Sequence, residues 1–214
     1  AGSIGHELNN VVTSLKGCAE LLQKTPDDKQ LAEECAGIFH TESQRLQTHA
    51  RNLLTIGQPK KPEMKNLSLD SLIDRVTELL VVSGLLKPFV ITKNYSVGLP
   101  SILADEMQLE QVIRNLEINA AHAMGNSGTM TLGTKASQDG LSIEFWITDT
   151  GHGIPEDKRE QIFVPFYTTK EKGKGTGLGM YIIKQTVEQH NGYIHLESKV
   201  GVGTTITIGF PLAG

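Results

Sequence analysis

The chain has 214 residues, room for one large domain or two modest ones. Its 20 Lys and Arg against 24 Asp and Glu leave a net charge of −4, which excludes any global pull toward nucleic acid or anionic lipid. No segment approaches the roughly 18 consecutive apolar residues of a membrane span, no signal-peptide pattern opens the chain, and two cysteines cannot build a disulfide framework or a four-cysteine zinc site. These sums predict a globular cytoplasmic protein without nucleic-acid or membrane contacts. The chain begins at Ala1 rather than Met, so it reads as a piece of something longer.

Ile4, Leu8, Val11, Leu15, Cys18 and Leu22 step by four and three, a heptad seam that predicts a first helix over residues 4–22. Thr25-Pro26-Asp27-Asp28 breaks it. A second helix is expected from Lys29 to Ile56, its seam running through Leu31, Cys35, Ile38, Leu46, Leu53 and Ile56, with polar interruptions at Glu42 and His49. Two helices joined by a short turn make an antiparallel hairpin, and such a pair reaches a buried core by dimerising into a four-helix bundle. Cys18 and Cys35 lie on these seams and read as small core residues in preference to a redox pair.

Gly57-Gln58-Pro59-Lys60-Lys61-Pro62 ends the hairpin, so domains are expected at 1–58 and 66–214 with a linker at 59–65. Beyond it a helix over 70–83 precedes a strand at 89–92. Asp105 opens a strong helix to Met124. Strands alternate over 129–134 and 141–148. A loop rich in Gly and Lys spans 152–176, then come a helix over 177–189 and strands at 193–198 and 204–211. This order predicts an α+β sandwich, helices on one face of a mixed sheet.

Gly151, Gly153, Gly173, Gly175, Gly177 and Gly179 crowd into one stretch, and Gly175-Thr176-Gly177-Leu178-Gly179 runs straight into a helix. Backbone N–H groups free of Cβ atoms and a helix N-terminus both suit phosphate. Taken alone, a glycine run is equally a surface loop. Asp149 ends a strand just before Gly151 and Gly153, where its carboxylate can accept from an exocyclic amine such as adenine's; the plainer reading is an Asp-Gly turn. Asn115 and Asn119, one helical turn apart, form a polar stripe with His122, opposite a core side of Leu109, Val112, Leu116 and Ala120. An Asn oxygen is a hard ligand suited to Mg²⁺.

The order Asn115-Leu116-Glu117-Ile118-Asn119-Ala120, Asp149-Thr150-Gly151-His152-Gly153-Ile154, Phe163-Val164-Pro165-Phe166-Tyr167-Thr168-Thr169-Lys170, Gly175-Thr176-Gly177-Leu178-Gly179 and Gly201-Val202-Gly203-Thr204-Thr205 resembles the N, G1, F, G2 and further glycine boxes of the catalytic domain of sensor histidine kinases. The resemblance covers about residues 66–212. It implies the left-handed-crossover ATP-binding (Bergerat) sandwich and a mobile lid between 152 and 176. It further implies that Asn119 ligates Mg²⁺, Asn115 lies beside the phosphates, and Asp149 reads the adenine with Thr204 supporting it through water. Lys170 and the backbones of Gly175, Gly177 and Gly179 would hold phosphates.

His6-Glu7-Leu8-Asn9-Asn10 on the first helix, off the apolar seam, resembles the H box of a dimerisation and histidine-phosphotransfer domain. A neutral imidazole nitrogen is a competent nucleophile toward a γ-phosphoryl group, and Glu7 can take the proton from the other ring nitrogen. Asn10, one turn past His6, stands where related kinases orient a water for dephosphorylation. The expectation is therefore a homodimeric kinase that passes a phosphoryl group from His6 to an Asp of a response regulator receiver domain and also acts as a phosphatase. The family usually carries Pro at the position of Val11; its absence predicts a straighter helix. Two rivals remain: a hydrolytic member of the superfamily, which would place a Glu where Asn115 stands, and a degenerate kinase that only binds.

Overall fold

The computed structural model describes residues 2–57, 61–170 and 176–212, except the side chains of 2–4, 6–8, 44–45 and 47–57. The chain divides into two compact units, one of Ala1–Lys60 with Pro165–Leu178 and one of Lys61–Val164 with Gly179–Gly214. The expected linker 59–65 straddles that division. Pro165–Leu178, expected within the second domain, groups with the first unit.

In the first unit, α1 (Gly2–Lys24) and α2 (Lys29–Gly57) pack side by side. The connection is fixed by local polar groups. Thr25 donates its hydroxyl to the Leu21 carbonyl at 3.0 Å, and Asp28 caps α2 by accepting from Leu31 N at 3.0 Å. Val11, Cys18 and Cys35 are buried, while Leu15, Leu22, Leu31 and Leu46 are half-buried. The expected seam is corrected at one position. Ile38 is 39% exposed, and the neighbouring Phe39 and the Glu42 stem take the half-buried positions instead. From Cys35, steps of four and three reach Phe39 and Glu42, so the helix follows its own period past the polar residue. The Ile4, Leu8, Leu53 and Ile56 side chains and the His49 interruption lie outside the described residues.

The second unit holds β1 (Met64–Leu67), α3 (Leu69–Val82), β2 (Val90–Tyr95), β3 (Ile102–Asp105), α4 (Glu106–Met124), β4 (Thr129–Ala136), β5 (Ser142–Asp149), α5 (Gly179–Gln189), β6 (Tyr193–Lys199) and β7 (Gly203–Pro211), with short 3-10 turns at Glu156–Lys158 and Gln161–Phe163. Five strands form one mixed sheet in the order β2-β4-β5-β7-β6, parallel only between β2 and β4. β1 and β3 make a separate antiparallel pair.

Alternation along β5 decides what faces inward. Ile143, Phe145, Ile147 and Asp149 are buried, while Ser142, Glu144, Trp146 and Thr148 are half-exposed. The inward residues join one core with Leu72, Ile73 and Val76 of α3, Leu109, Val112, Ile113 and Leu116 of α4, and Ile183 and Val187 of α5. The same two-residue period that buries Phe145 therefore carries the carboxylate of Asp149 onto the helix-covered face.

Asp105 closes β3 and caps α4. Its Oδ1 accepts from Gln108 N at 3.0 Å, and its Oδ2 accepts from Glu63 N at 2.8 Å next to β1. Its own N–H donates to Nε2 of the buried His190 at 3.0 Å, whose Nδ1 meets the Thr186 carbonyl at 2.8 Å. That pattern fixes the neutral Nδ1–H tautomer of His190 and ties the end of α5 to the start of α4.

Candidate functional site

α4 brings two amides to the start of α5. A Cβ placed on Gly179 would lie 3.7 Å from Asn119 Nδ2 and 3.9 Å from Asn115 Cγ. Both asparagines therefore stand against the first residue of a helix whose leading N–H groups have no intrahelical partner. Asn115 Nδ2 is buried and has no hydrogen-bond partner among the described residues. A buried amide without an acceptor is costly, and an oxygen of a bound ligand, such as a phosphate oxygen, would supply one. The asparagine oxygens are hard donors of the kind Mg²⁺ takes. The residues present thus fit a magnesium nucleotide. His122 lies exposed on the last turn of α4.

Asp149 sits at the inner end of β5, 7% exposed. Its Oδ1 accepts from Gly151 N at 2.8 Å. Burial pushes its carboxyl above the usual carboxylate range, against the backbones of Gly151 and Thr204 and the neighbouring His152, which favour the charge. The Asp-Gly turn of the plainer reading exists, closed by the Gly151 N–H on the buried carboxylate. Gly153 and Gly203 beside Asp149 are demanded by the backbone. Gly153 has φ +71°, and a Cβ there would come within 2.2 Å of the Lys199 carbonyl oxygen. Gly203 has φ +142°, with a would-be Cβ 1.9 Å from the Asp149 carbonyl oxygen.

Thr204 pairs with Asp149 in the β5–β7 ladder, and its hydroxyl lies 2.9 Å from Ser198 Oγ. Ser198 was not visible in the sequence as a site residue. It accepts from Ile154 N at 2.7 Å and lies 3.1 Å from the Gly203 carbonyl, so it binds the loop after Asp149 to the β6–β7 turn. Arg159 adds a bond from its guanidinium to the Ser198 carbonyl at 2.5 Å. His152 N donates to the Ala123 carbonyl at 3.1 Å, which anchors the same loop to the end of α4. A serine on an exposed-reading strand carries no sequence signal for such a role; only the pairing of β6 with β7 supplies it.

Pro165–Leu178 belongs to the other unit. There Phe166 N donates to the Gly177 carbonyl at 2.9 Å. Thr176 Oγ1 accepts from Leu178 N at 3.3 Å, and Leu178 is fully buried. Burial pushes the Lys170 ammonium below its ordinary value. Gly173 and Gly175 lie outside the described residues. In α1, Asn10 is exposed, and the His6 and Glu7 side chains lie outside the described residues.

Glu117, between the two asparagines in sequence, is turned away from them. It is fully buried and meets Thr77 Oγ1 of α3 at 2.7 Å. Burial raises its carboxyl to about 7. No described helix is long and apolar enough to cross a membrane.

Comparison with known proteins places these observations. The chain is 32% identical to the sensor histidine kinase ZraS of Escherichia coli K12 over 212 residues, 99% of this chain and 45% of that protein. It therefore spans less than half the length of the curated relatives it matches first. The catalytic domain of the histidine kinase ThkA covers 70% of this chain and 95% of its own at 27% identity, with a TM-score of 0.62. ThkA in complex with the response regulator protein TrrA covers 99% of this chain and 60% of its own with a TM-score of 0.77; at 24% identity that likeness is one of fold. A family model matches residues 104–214, the stretch that carries Asn115, Asn119, Asp149 and Gly179, and by it the chain belongs to the histidine kinase-, DNA gyrase B- and HSP90-like ATPase family.

Proposed function

We propose that this chain is the ATP-dependent core of a sensor histidine kinase. Residues 66–214 bind ATP with Mg²⁺, and residues 1–58 dimerise and present His6 as the phosphoacceptor. The phosphoryl group then passes to an Asp of a response regulator receiver domain. The observation that carries the reading is the pair Asn115 and Asn119 against Gly179, with the Asn115 amide buried and unpartnered among the described residues. The similarity to ZraS along the whole chain supports the kinase assignment.

Bound ATP supplies the γ-phosphoryl group, and Mg²⁺ neutralises its charge. Asn119 would ligate the metal, and Asn115 would donate to a phosphate oxygen. The α5 N-terminus would add its dipole, and Lys170 with the Gly175–Gly179 backbone a further cradle. Asp149 accepts from the adenine amine, with Gly151, Gly153 and Thr204 shaping the ring's seat. His6 attacks phosphorus in line as the neutral imidazole, the bond to the leaving diphosphate breaks, and Glu7 takes the proton from the other ring nitrogen. Glu117 does not compete as a water-activating base, because it is fully buried and turned toward Thr77 of α3. Asn10 is the residue for the phosphatase direction, placing a water beside the phosphorylated partner.

The test is incubation with γ-labelled ATP and Mg²⁺ beside His6→Gln and Asn119→Ala variants. Acid-labile, base-stable label absent from both variants is the expected result. Label surviving in His6→Gln removes the phosphoacceptor; nucleotide bound without any label makes the chain a degenerate binding module.

A further inference from the structure

The proposed chemistry does not use the two cysteines of the hairpin. Cys18 lies on α1 and Cys35 on α2, each about two helical turns from the connection. Both are buried in the seam, at 6% and 1% exposure. The Cys35 thiol reaches 3.8 Å from the Cys18 carbonyl, and the two side chains interact with each other. Both are free thiols. We propose that Cys18 and Cys35 form an oxidation site, a thiol from each helix that closes into an interhelical disulfide and pins α1 against α2.

The step takes two electrons. Both S–H bonds break and one S–S bond forms. The protons and electrons pass to a hydroperoxide, which is cleaved to an alcohol or water plus water, or to a small disulfide, which is reduced to two thiols. Burial, with the Cys18 side chain beside it, pushes the Cys35 thiol up, so that residue rests protonated and reacts as the seam opens. A bond at this position spans the connection alone. It stops α1 from sliding or rotating against α2 and leaves the second unit untouched. This site does not rest on the kinase reading.

The experiment compares the full chain under reductant with the same chain treated with dilute hydrogen peroxide or oxidised glutathione. Free thiols are then alkylated and the peptides mapped by mass. The expected result is a Cys18–Cys35 peptide within one chain, two hydrogens lighter, together with slower amide exchange across Thr25–Asp28 and the flanking turns. Both changes reverse with dithiothreitol, and neither occurs in Cys35→Ala. Thiols that stay fully alkylatable, a bridge joining two copies, or stable adducts with glutathione would each overturn the proposal.

Discussion

At Asp149 one oxygen is spent on Gly151 N, and the carboxylate is otherwise buried at the end of a strand. Asn at this position keeps an oxygen for Gly151 N but puts an amide donor where adenine's own amine must donate. Two donors facing each other cost about 1.5–3 kcal/mol. Asp149→Asn is therefore expected to weaken ATP binding by about 10- to 100-fold, measured by calorimetry, with the unfolding midpoint nearly unchanged. Glu117 poses the opposite problem. Thr77 Oγ1 lies 2.8 Å from the Ile73 carbonyl and 2.7 Å from Glu117 Oε1, yet a hydroxyl has one proton. Both bonds form together when Glu117 is protonated and donates to Thr77, which agrees with burial raising its carboxyl from 4.5 to about 7. The folded chain then keeps a proton that the unfolded chain releases. Its contribution to stability is full below pH 4.5 and is lost as pH rises through 7, a change on the order of 3 kcal/mol. Denaturant unfolding across this window should show that decline in the wild-type chain and a shallower one in Glu117→Gln. Equal slopes would mean the carboxyl is ionised in the fold.

Among the elements, α4 depends on its first turn. Asp105 caps it, ties it to the backbone beside β1, and offers its own N–H to His190. Asp105→Ala should cost about 1–2 kcal/mol in thermal or denaturant unfolding. Asp105→Asn should recover most of that loss, because it keeps the capping oxygen; if it does not, the charge at the helix start outweighs the cap. This element also marks what the sequence made legible. The apolar period of α4, the alternation of β4 and β5, and the glycine-led start of α5 are local signals, and each appears within a few residues of its expected place. β1 and β3 were not legible: each has four residues, and their reason to be strands is each other, across a gap that no local pattern spans. The site divides the same way. Asn115, Asn119 and Asp149 announce themselves by spacing and motif, whereas Ser198 and Arg159 matter through a turn and a strand pairing remote in sequence. Ile38 was misread because steps of three and of four from Cys35 are equally helical, and the structure takes the step of four that half-buries Phe39.

For the molecule as a whole, the hairpin leaves its apolar surface unbalanced. Its own seam covers Val11, Cys18 and Cys35, while Val12, Leu21 and Ile38 stay 56%, 50% and 39% exposed on the same two helices. A two-helix layer has only one internal face, so these side chains find cover against a second hairpin or remain in water. Cover by a second copy buries them around a two-fold axis and completes four helices. Sedimentation of the full chain should then give the mass of two chains at micromolar concentration. Val12 and Leu21 flank the seam on opposite sides of α1, so Val12→Glu and Leu21→Glu are compared singly, and the one that faces the second copy should sediment as one chain, because opposed carboxylates in that interface repel and lose solvent. Both substituted residues are exposed within the single chain, so the hairpin's own seam keeps its contacts and helicity by circular dichroism should hold. Nucleotide affinity should hold too, since neither substituted residue is among those proposed to hold the nucleotide. A wild-type chain that stays single throughout would show that these side chains tolerate water. A variant that loses helicity along with its dimer mass would show instead that the hairpin folds only when paired, so that the second copy is part of the fold and not merely of the assembly.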